Sequence, residues 1–255
     1  MLEFKNVGMN YKTLSGYTEA LQDINFNVQD GELVTILGPS GCGKSTFLFI
    51  GTGLTQCTSG EVLLNGEKIT KPYKEVGFVF QDHLLLEWRT VLENIMIQGE
   101  FRNMDKEKTR EKAMNLLNQV GLSGFENKYP WELSGGMQQR VSICRALVHE
   151  PDMLMMDEPF GALDALTREQ MRVDLERMWM TRKNTIVFVT HDIVEAILLA
   201  DKVIVMTPRP GRVKEVINID LPRPRNMAVK ESKEFMDYRK HITELFMDMG
   251  ILHDE

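Results

Sequence analysis

The sequence predicts an α/β fold: a mostly parallel sheet flanked by helices, an antiparallel β subdomain near the amino terminus and an inserted α-helical subdomain. Strand-like segments (33–37, 153–156, 185–190 and 202–206) alternate with helix-like segments (44–51, 165–182 and 193–199). This order is typical of a parallel sheet. Apolar and polar residues alternate at 2–4 and 24–28, as in antiparallel strands with one wet face. Residues 91–149 have a mostly helical pattern and therefore look like an insertion.

The elements before and within this insertion have clear sequence signals. Asp30-Gly31 marks a turn, and residues 33–37 after it are all apolar or β-branched, as expected for a strand buried on both faces. Further short strands are predicted at 61–64 and 76–80. In the helical region, one apolar helical stripe consists of Ala113, Leu116, Leu117 and Val120.

The carboxy-terminal part contains two proline-rich stretches, 208–211 and 221–225, which frame an alternating strand at 213–219. The last segment is predicted to be an amphipathic helix, whose apolar side consists of Phe235, Tyr238, Ile242, Leu245 and Met249. The predicted organisation is therefore one domain over residues 1–230, with the helical subdomain inserted at about 88–150, followed by a carboxy-terminal helix at 231–255.

Composition excludes some classes of protein. The chain has 255 residues, 43% of them hydrophobic, and a formal net charge of −7. An acidic balance argues against a general nucleic-acid binder, so no nucleic-acid partner is expected. The three cysteines, Cys42, Cys57 and Cys144, have no metal-type spacing and indicate a reducing compartment. No signal peptide and no apolar run of ~18 residues is present, so a membrane role requires a partner chain.

A glycine-rich loop follows the first buried strand and matches G-x-x-x-x-G-K-[ST]. It consists of Gly38, Pro39, Ser40, Gly41, Cys42, Gly43, Lys44, Ser45 and Thr46. Its glycines let backbone N–H groups converge on an anion, and the next helix presents its positive end to phosphate. Lys44 is expected at the β- and γ-phosphates and Ser45 on Mg²⁺. The sequence therefore predicts a binding site for a nucleotide triphosphate.

Two carboxylates, Asp157 and Glu158, end the apolar strand 153–156. Ligands bind at the carboxyl ends of parallel strands, so Asp157 is predicted to hold Mg²⁺ and Glu158 to act as a general base on the attacking water. Two solvated carboxylates that merely end a strand are the alternative, which the upstream phosphate loop disfavours.

A second glycine motif, Ser134-Gly135-Gly136, precedes a helix. Ser134 is a good N-cap, and the glycines leave backbone N–H groups uncovered. One nucleotide has only one phosphate tail, so this second anion cradle is surplus unless it serves another nucleotide. A two-fold dimer, in which each cradle closes on the nucleotide of the partner, removes the difficulty.

The octapeptide of this motif, LSGGMQQR at 133–140, resembles the signature motif of ABC-transporter ATPases, and the resemblance covers essentially the whole chain. It implies a P-loop NTPase core with ATP and Mg²⁺ as cofactors. By resemblance, Tyr11 stacks on adenine (strand-edge packing is its alternative), and Gln81 contacts Mg²⁺ and the attacking water. Asp164 lies in the D-loop at the dimer seam, and His191 is the switch histidine at the γ-phosphate. The implied catalytic residues are Lys44, Gln81, Glu158 and His191, and the implied metal ligands are Ser45, Gln81 and Asp157.

The proline-rich stretches are similar to segments of the nitrate/sulfonate/taurine importer ATPases. This resemblance implies a peripheral subunit on the cytoplasmic face of the cell membrane that drives uptake of a small oxyanionic solute. The implied partners are a transmembrane permease, a second copy of the ATPase and, indirectly, a periplasmic or lipid-anchored solute-binding protein. The segment 86–89 resembles part of the permease-binding groove, although Glu87 stands where the family usually has proline.

Three other functions compete with this interpretation. A non-transport ABC ATPase typically has a long coiled coil or two ATPase domains, whereas this chain has one copy of each motif. An exporter ATPase is disfavoured only by the importer-like tail. A P-loop kinase has no use for a second anion cradle, and hydrolysis of ATP without a phosphoryl acceptor would exclude it.

Overall fold

The structure is a computed structural model that describes residues 1–14 and 16–252. They form two compact units: the first contains the described residues of 1–74 and 183–255, and the second contains residues 75–182. The range expected for the helical subdomain lies inside the second unit. The last three residues of the expected segment 231–255 lie outside the described residues.

In chain order, the elements are β1 (Leu2–Thr13), β2 (Gly16–Val28), β3 (Leu33–Leu37), α1 (Lys44–Gly51), β4 (Ser59–Leu64), β5 (Glu67–Lys68), β6 (Val76–Val79), α2 (Val91–Arg102), α3 (Lys106–Gln119), α4 (Gly135–Leu147), β7 (Met153–Asp157), α5 (Ala165–Arg182), β8 (Thr185–Thr190), α6 (Ile193–Leu199), β9 (Lys202–Met206), β10 (Val213–Asn218) and α7 (Lys233–Asp248). Short 3₁₀ helices lie at Pro130–Glu132 and Met227–Glu231. The predicted bounds of β3, α1, α5, β8, α6 and β9 are confirmed. β1 and β2 extend well beyond the predicted alternating segments, because their antiparallel pairing also orders polar, exposed residues.

The first unit combines an antiparallel sheet with a mostly parallel set of strands. β1 pairs antiparallel with β2 and β4. β3 pairs in parallel with β8 and β9, and β10 runs antiparallel to β9. The register places Leu37 opposite both Thr190 and Val205. The carboxyl ends of β3, β8 and β9 therefore meet at one edge, where Gly38 and His191 follow.

The core on this part of the first unit joins α6 and α7. Phe235, Ile242 and Leu245 of α7 are buried in it, and Tyr238 and Met249 pack against it partly buried. The predicted apolar stripe of the last helix is thus confirmed. The stripe has a simple packing partner, since the buried residues Ala196, Ile197 and Leu198 of α6 belong to the same core.

The second unit contains the parallel pair β6 and β7, in which Val79 lies opposite Met156. A separate hydrophobic core joins α2, α3 and α4 and includes the predicted stripe of Ala113, Leu116, Leu117 and Val120. α2 begins with a capping box formed by Thr90 and Glu93, which satisfies backbone N–H groups at its first turn. Of the helices in residues 1–14 and 16–252, none combines the length and the apolar character that a membrane span requires.

Candidate functional site

The predicted phosphate loop lies between β3 and α1 in the first unit. Gly43, the residue before α1, has φ 103° and ψ 13° and supplies no side-chain cap to the helix, as is typical of a helix start that binds an anion. Lys44 is buried, and its Nζ donates hydrogen bonds to the carbonyl oxygens of Gly38 and Pro39, each at 3.0 Å. The ammonium group is thereby held against the loop itself.

Tyr11 of β1 reaches the same loop. Its hydroxyl lies 3.2 Å from Oγ1 of Thr46, and the residue is 39% exposed. The structure therefore brings the predicted adenine-stacking residue together with the phosphate loop, on an exposed stretch of β1.

His191 follows β8 and is exposed. Its position is fixed by hydrogen bonds of its neighbours: the Asp192 N–H donates to Oγ1 of Thr190 at 3.0 Å, and Oγ1 of Thr190 donates to Oε2 of Glu195 at 2.7 Å. Asp192 caps α6 by accepting from the N–H of Glu195 at 2.9 Å. Because Leu37 pairs with Thr190, His191 and Gly38 begin neighbouring loops at the same sheet edge.

The acidic pair and Gln81 belong to the second unit. Asp157 is the last residue of β7, and Gln81 comes two residues after the end of β6, so the parallel pairing of Val79 with Met156 places both at one end of the pair. Glu158 has φ 43°, and a left-handed conformation costs a non-glycine residue ~1–2 kcal/mol. Its carbonyl oxygen accepts from the N–H of Gly161 at 3.1 Å, which closes a tight turn behind the carboxylate.

The predicted signature turn begins α4 in the second unit. Ser134 is the N-cap, and its Oγ accepts from the N–H of Met137 at 3.3 Å. Ser134 and Gly135 are exposed, whereas Gly136 is buried. A Cβ on Gly136 would lie 2.4 Å from Cγ2 of Thr167, so α5 approaches this glycine closely.

Asp164 lies at the start of the same α5. Its Oδ1 accepts from the N–H groups of Leu166 and Thr167, each at 3.1 Å. The hydrogen bonds with Thr167 lower the pKa of Asp164 below its ordinary value, because they favour the carboxylate. The structure therefore brings the predicted D-loop residue and the signature turn together through Thr167.

A hydrogen-bonded scaffold that was not predicted from the sequence supports the residues after Gln81. His83 Nδ1 lies 2.5 Å from Oε1 of the buried Gln139 in α4. Arg145 donates to the carbonyl oxygens of His83 and Leu84 at 2.8 and 2.6 Å. Buried Asn94 accepts from the N–H of Leu86 and donates to three carbonyl groups of the segment. These partners are mostly backbone groups, which leave no signal in a sequence.

Within the part of the chain that the structure describes, no group of three or more His, Cys, Asp or Glu side chains is arranged to hold a metal ion. The predicted metal ligands Ser45, Gln81 and Asp157 are an oxygen-donor set (hydroxyl, amide and carboxylate), which is the chemistry that Mg²⁺ prefers.

Comparisons with known proteins bear on this site. A family model described as "ABC transporter" matches residues 21–161, which is more than half of the chain. The aliphatic sulfonates import ATP-binding protein SsuB of Bacillus cereus is 42% identical over 251 residues, covering 98% of this chain and 98% of that protein. The taurine import ATP-binding protein TauB of Pelagibacter ubique is 43% identical over 250 residues, covering 96% and 94%.

Solved structures give the same result. The dimeric structure of MJ0796, a bacterial ABC transporter cassette, has a TM-score of 0.77 and 36% identity and covers 87% of this chain and 100% of that chain. Its post-hydrolysis state, bound to ADP and Pi, has a TM-score of 0.76 and 35% identity with the same coverage. The P-loop ATPase fold predicted from the sequence is thus confirmed. This chain belongs to the ABC transporter family, as one of its ATP-binding and ATP-hydrolysing subunits.

Proposed function

We propose that this chain energises the import of a small oxyanionic solute of the sulfonate or taurine class. Its near full-length similarity to the SsuB and TauB proteins supports this substrate class. The observation that carries the ATPase mechanism is that one chain contains both a complete phosphate loop and a second, exposed anion cradle at Ser134 and Gly135.

The phosphate loop, residues 38–46, takes the triphosphate of ATP, with Lys44 next to the β- and γ-phosphates and Tyr11 stacking on the adenine. The fixed position of Lys44 against the loop supports this assignment. Ser45, Gln81 and Asp157 would hold Mg²⁺, which when bound neutralises charge on the phosphate oxygens.

Hydrolysis proceeds by in-line attack of water on the γ-phosphate. Glu158 accepts a proton from this water as the general base, Gln81 aligns it, and His191 donates a hydrogen bond to the γ-phosphate. The left-handed backbone of Glu158 supports a fixed carboxylate, because a strained residue holds its conformation only when its surroundings determine it.

Catalysis requires a dimer of two copies of this chain. Ser134, Gly135 and Gly136 of one copy close on the nucleotide held by the other, and Asp164 lies at the seam. The low pKa of Asp164 keeps an anion at this seam. Closure buries the phosphates between two cradles, and hydrolysis weakens the contact, so ATP turnover opens and closes the dimer.

The permease partner binds the segment after Gln81. Leu84 and Trp88 are 56% and 73% exposed, and the hydrogen bonds of Asn94 and Arg145 hold the backbone on which they stand. A fixed, apolar surface of this kind suits the coupling helix of a membrane subunit. The subunit then sits peripherally at the cytoplasmic face of the membrane, and a periplasmic or lipid-anchored binding protein delivers the solute.

The substitution Glu158→Gln tests the mechanism. The variant should bind ATP normally and collect as an ATP-dependent dimer in size-exclusion chromatography, while turnover falls at least ~100-fold because the general base is lost. Glu111→Gln, an exposed carboxylate of α3, is the matched control and should keep full activity. Rapid turnover by Glu158→Gln would contradict the role of Glu158.

The importer assignment requires its own experiment. The chain, co-expressed with a permease and a binding protein from the same genome, should support ATP-dependent uptake of a labelled alkanesulfonate or taurine into proteoliposomes. Uptake that fails with a range of such solutes, while ATP is still hydrolysed, would overturn the substrate class and leave the ATPase intact. Hydrolysis without a phosphoryl acceptor would exclude the kinase alternative.

A further inference from the structure

The segment between β9 and β10 has no role in the mechanism above. Residues 207–212, here named the proline–arginine turn, form a closed loop. The N–H of Thr207 donates to the carbonyl oxygen of Arg212, and the N–H of Arg212 donates to Oγ1 of Thr207, both at 3.0 Å. Oγ1 of Thr207 also donates to the carbonyl oxygen of Pro210 at 3.1 Å. These internal hydrogen bonds make the turn a defined structure rather than a free linker.

One arginine of the turn reaches the phosphate loop. Nε of Arg209 donates to the carbonyl oxygen of Gly41 at 3.2 Å. The peptide group that carries this oxygen also carries the N–H of Cys42. In a planar trans peptide the C=O and N–H groups point in opposite directions, so a donor that holds the oxygen also constrains that N–H, which here donates to the carbonyl oxygen of Pro39 in the same loop at 3.4 Å.

Gly211 touches the next peptide group of the loop. A Cβ built on Gly211 would lie 2.1 Å from the carbonyl oxygen of Cys42, which is much closer than any real Cβ contact. The backbone of Gly211 therefore packs directly against the peptide that carries the N–H of Gly43. Only a glycine permits this approach.

The turn is also hydrogen-bonded to β2. The N–H of Gly211 donates to the carbonyl oxygen of Ala20 at 3.0 Å, and its own carbonyl oxygen accepts from the N–H of Gln22 at 2.9 Å. Nε of Arg212 donates to Oε1 of Gln22 at 2.9 Å. The turn is thus fixed both to β2 and to the phosphate loop.

We propose that the proline–arginine turn is a positioning element for ATP binding: Arg209 and Gly211 orient two consecutive peptide groups of the phosphate loop, 41–42 and 42–43. Both act through the loop backbone and neither is a catalytic residue. The proposal rests on ATP binding by this family and not on the transported solute.

The substitution Arg209→Gln tests it, with Arg212→Gln as the matched control. Both arginines are exposed residues of the same turn, but Arg212 donates to Gln22 of β2 rather than to the loop. In the control the turn stays attached to β2, because the backbone hydrogen bonds of Gly211 with Ala20 and Gln22 do not involve the Arg212 side chain. Loss of one charged donor is expected to weaken ADP binding by about tenfold, measured by titration of the full chain with a fluorescent ADP analogue. Binding of AMP, which lacks the β-phosphate, should change much less. In steady-state assays the KM for ATP should rise more than kcat falls.

The melting temperature separates positioning from folding. Arg209→Gln and Arg212→Gln should melt at similar temperatures, while only the first loses ADP affinity. Gly211→Ala should weaken ADP binding more than Arg209→Gln does, measured on the folded fraction of the variant. If Gly211→Ala does not fold, the result for Arg209→Gln tests the proposal by itself. ADP affinity of Arg209→Gln within about twofold of the Arg212→Gln control would overturn the proposal.

Discussion

The second proline-rich stretch, residues 221–225, makes a different and strongly testable contribution to stability. Arg225 is 2% exposed, and its guanidinium group donates to five carbonyl oxygens, those of Ile197, Leu198, Ala200, Ile219 and Leu221. The first three lie at the carboxyl end of α6, where a helix leaves its last carbonyl groups without intrahelical partners. A cation also suits the negative end of the helix dipole.

The cost of removing this group follows from its shortest hydrogen bonds. Nη1 of Arg225 lies 2.7 Å from the oxygen of Ile197 and 2.6 Å from that of Ala200. A hydrogen bond from a charged donor contributes ~1.5–3 kcal/mol to stability. The protein loses this contribution when the donor is removed and the buried acceptor is left without a partner. Counting these two bonds alone, Arg225→Ala should lower the free energy of unfolding by ~3–6 kcal/mol, a large part of the ~5–15 kcal/mol available to a domain.

Urea denaturation followed by far-ultraviolet circular dichroism measures this change. Arg239→Ala is the matched control, because Arg239 is exposed on α7 and its truncation should shift the free energy of unfolding by no more than ~0.5 kcal/mol. Amide hydrogen exchange should locate the loss, with faster exchange along α6 in Arg225→Ala. A difference below ~1 kcal/mol between the two variants would refute the interpretation of Arg225 as a helix cap.

Two further predictions concern buried titratable groups. Burial raises the pKa of the Cys144 thiol to about 12. At pH 8 an aromatic disulfide reagent should therefore modify the partly exposed Cys57 in the folded protein and Cys144 only after unfolding. Rapid modification of Cys144 in the folded Cys57→Ser variant would contradict this prediction. Burial, and secondarily Arg102, lower the pKa of His149, so the unfolded chain takes up a proton near the ordinary value of 6.5 while the folded chain does not. The free energy of unfolding should therefore fall as the pH drops below this value, by at most ~1.4 kcal/mol per pH unit from this group. His149→Leu should reduce this pH dependence, measured by urea denaturation between about pH 5 and 7. An unchanged pH dependence in the variant would exclude His149 as its source.

The sequence predicted elements whose signal is hydrophobic and local. β3 and β8 are buried over their whole length, and their continuous runs of apolar or β-branched residues therefore defined their bounds. The stripe of α7 was equally clear. By contrast, β1 and β2 run for 12 and 13 residues, and much of their length is polar and exposed. Pairing between the two strands orders these residues, and pairing is not a property of either segment alone.

In the candidate site, too, features with a local sequence signal were predicted and features that depend on contacts were not. Motif residues such as Lys44 and Ser134 were predictable, because their chemistry requires those residue types at that spacing. The backbone of Glu158 was not: the residue precedes Pro159, which favours an extended conformation, yet its φ is 43°. His83 and Gln139 were also missed, since a single side-chain pair 56 positions apart has no recognisable pattern in one sequence.

The two proline-rich stretches, 208–211 and 221–225, were linked to a function in the sequence only through their similarity to segments of importer ATPases. The hydrogen bonds that their arginines make could not be predicted from the residues themselves. Arg209 and Arg225 both donate to backbone carbonyl groups. Because every residue carries a carbonyl group, the sequence does not show which residues accept these hydrogen bonds. Yet the acceptors are not arbitrary. Arg209 holds the phosphate loop, and Arg225 holds the far end of the helix that starts next to His191. The carboxy-terminal segment therefore contacts the phosphate loop directly through Arg209 and the carboxyl end of α6 through Arg225, so the effect proposed for Arg209 on ATP binding requires no change in any motif residue.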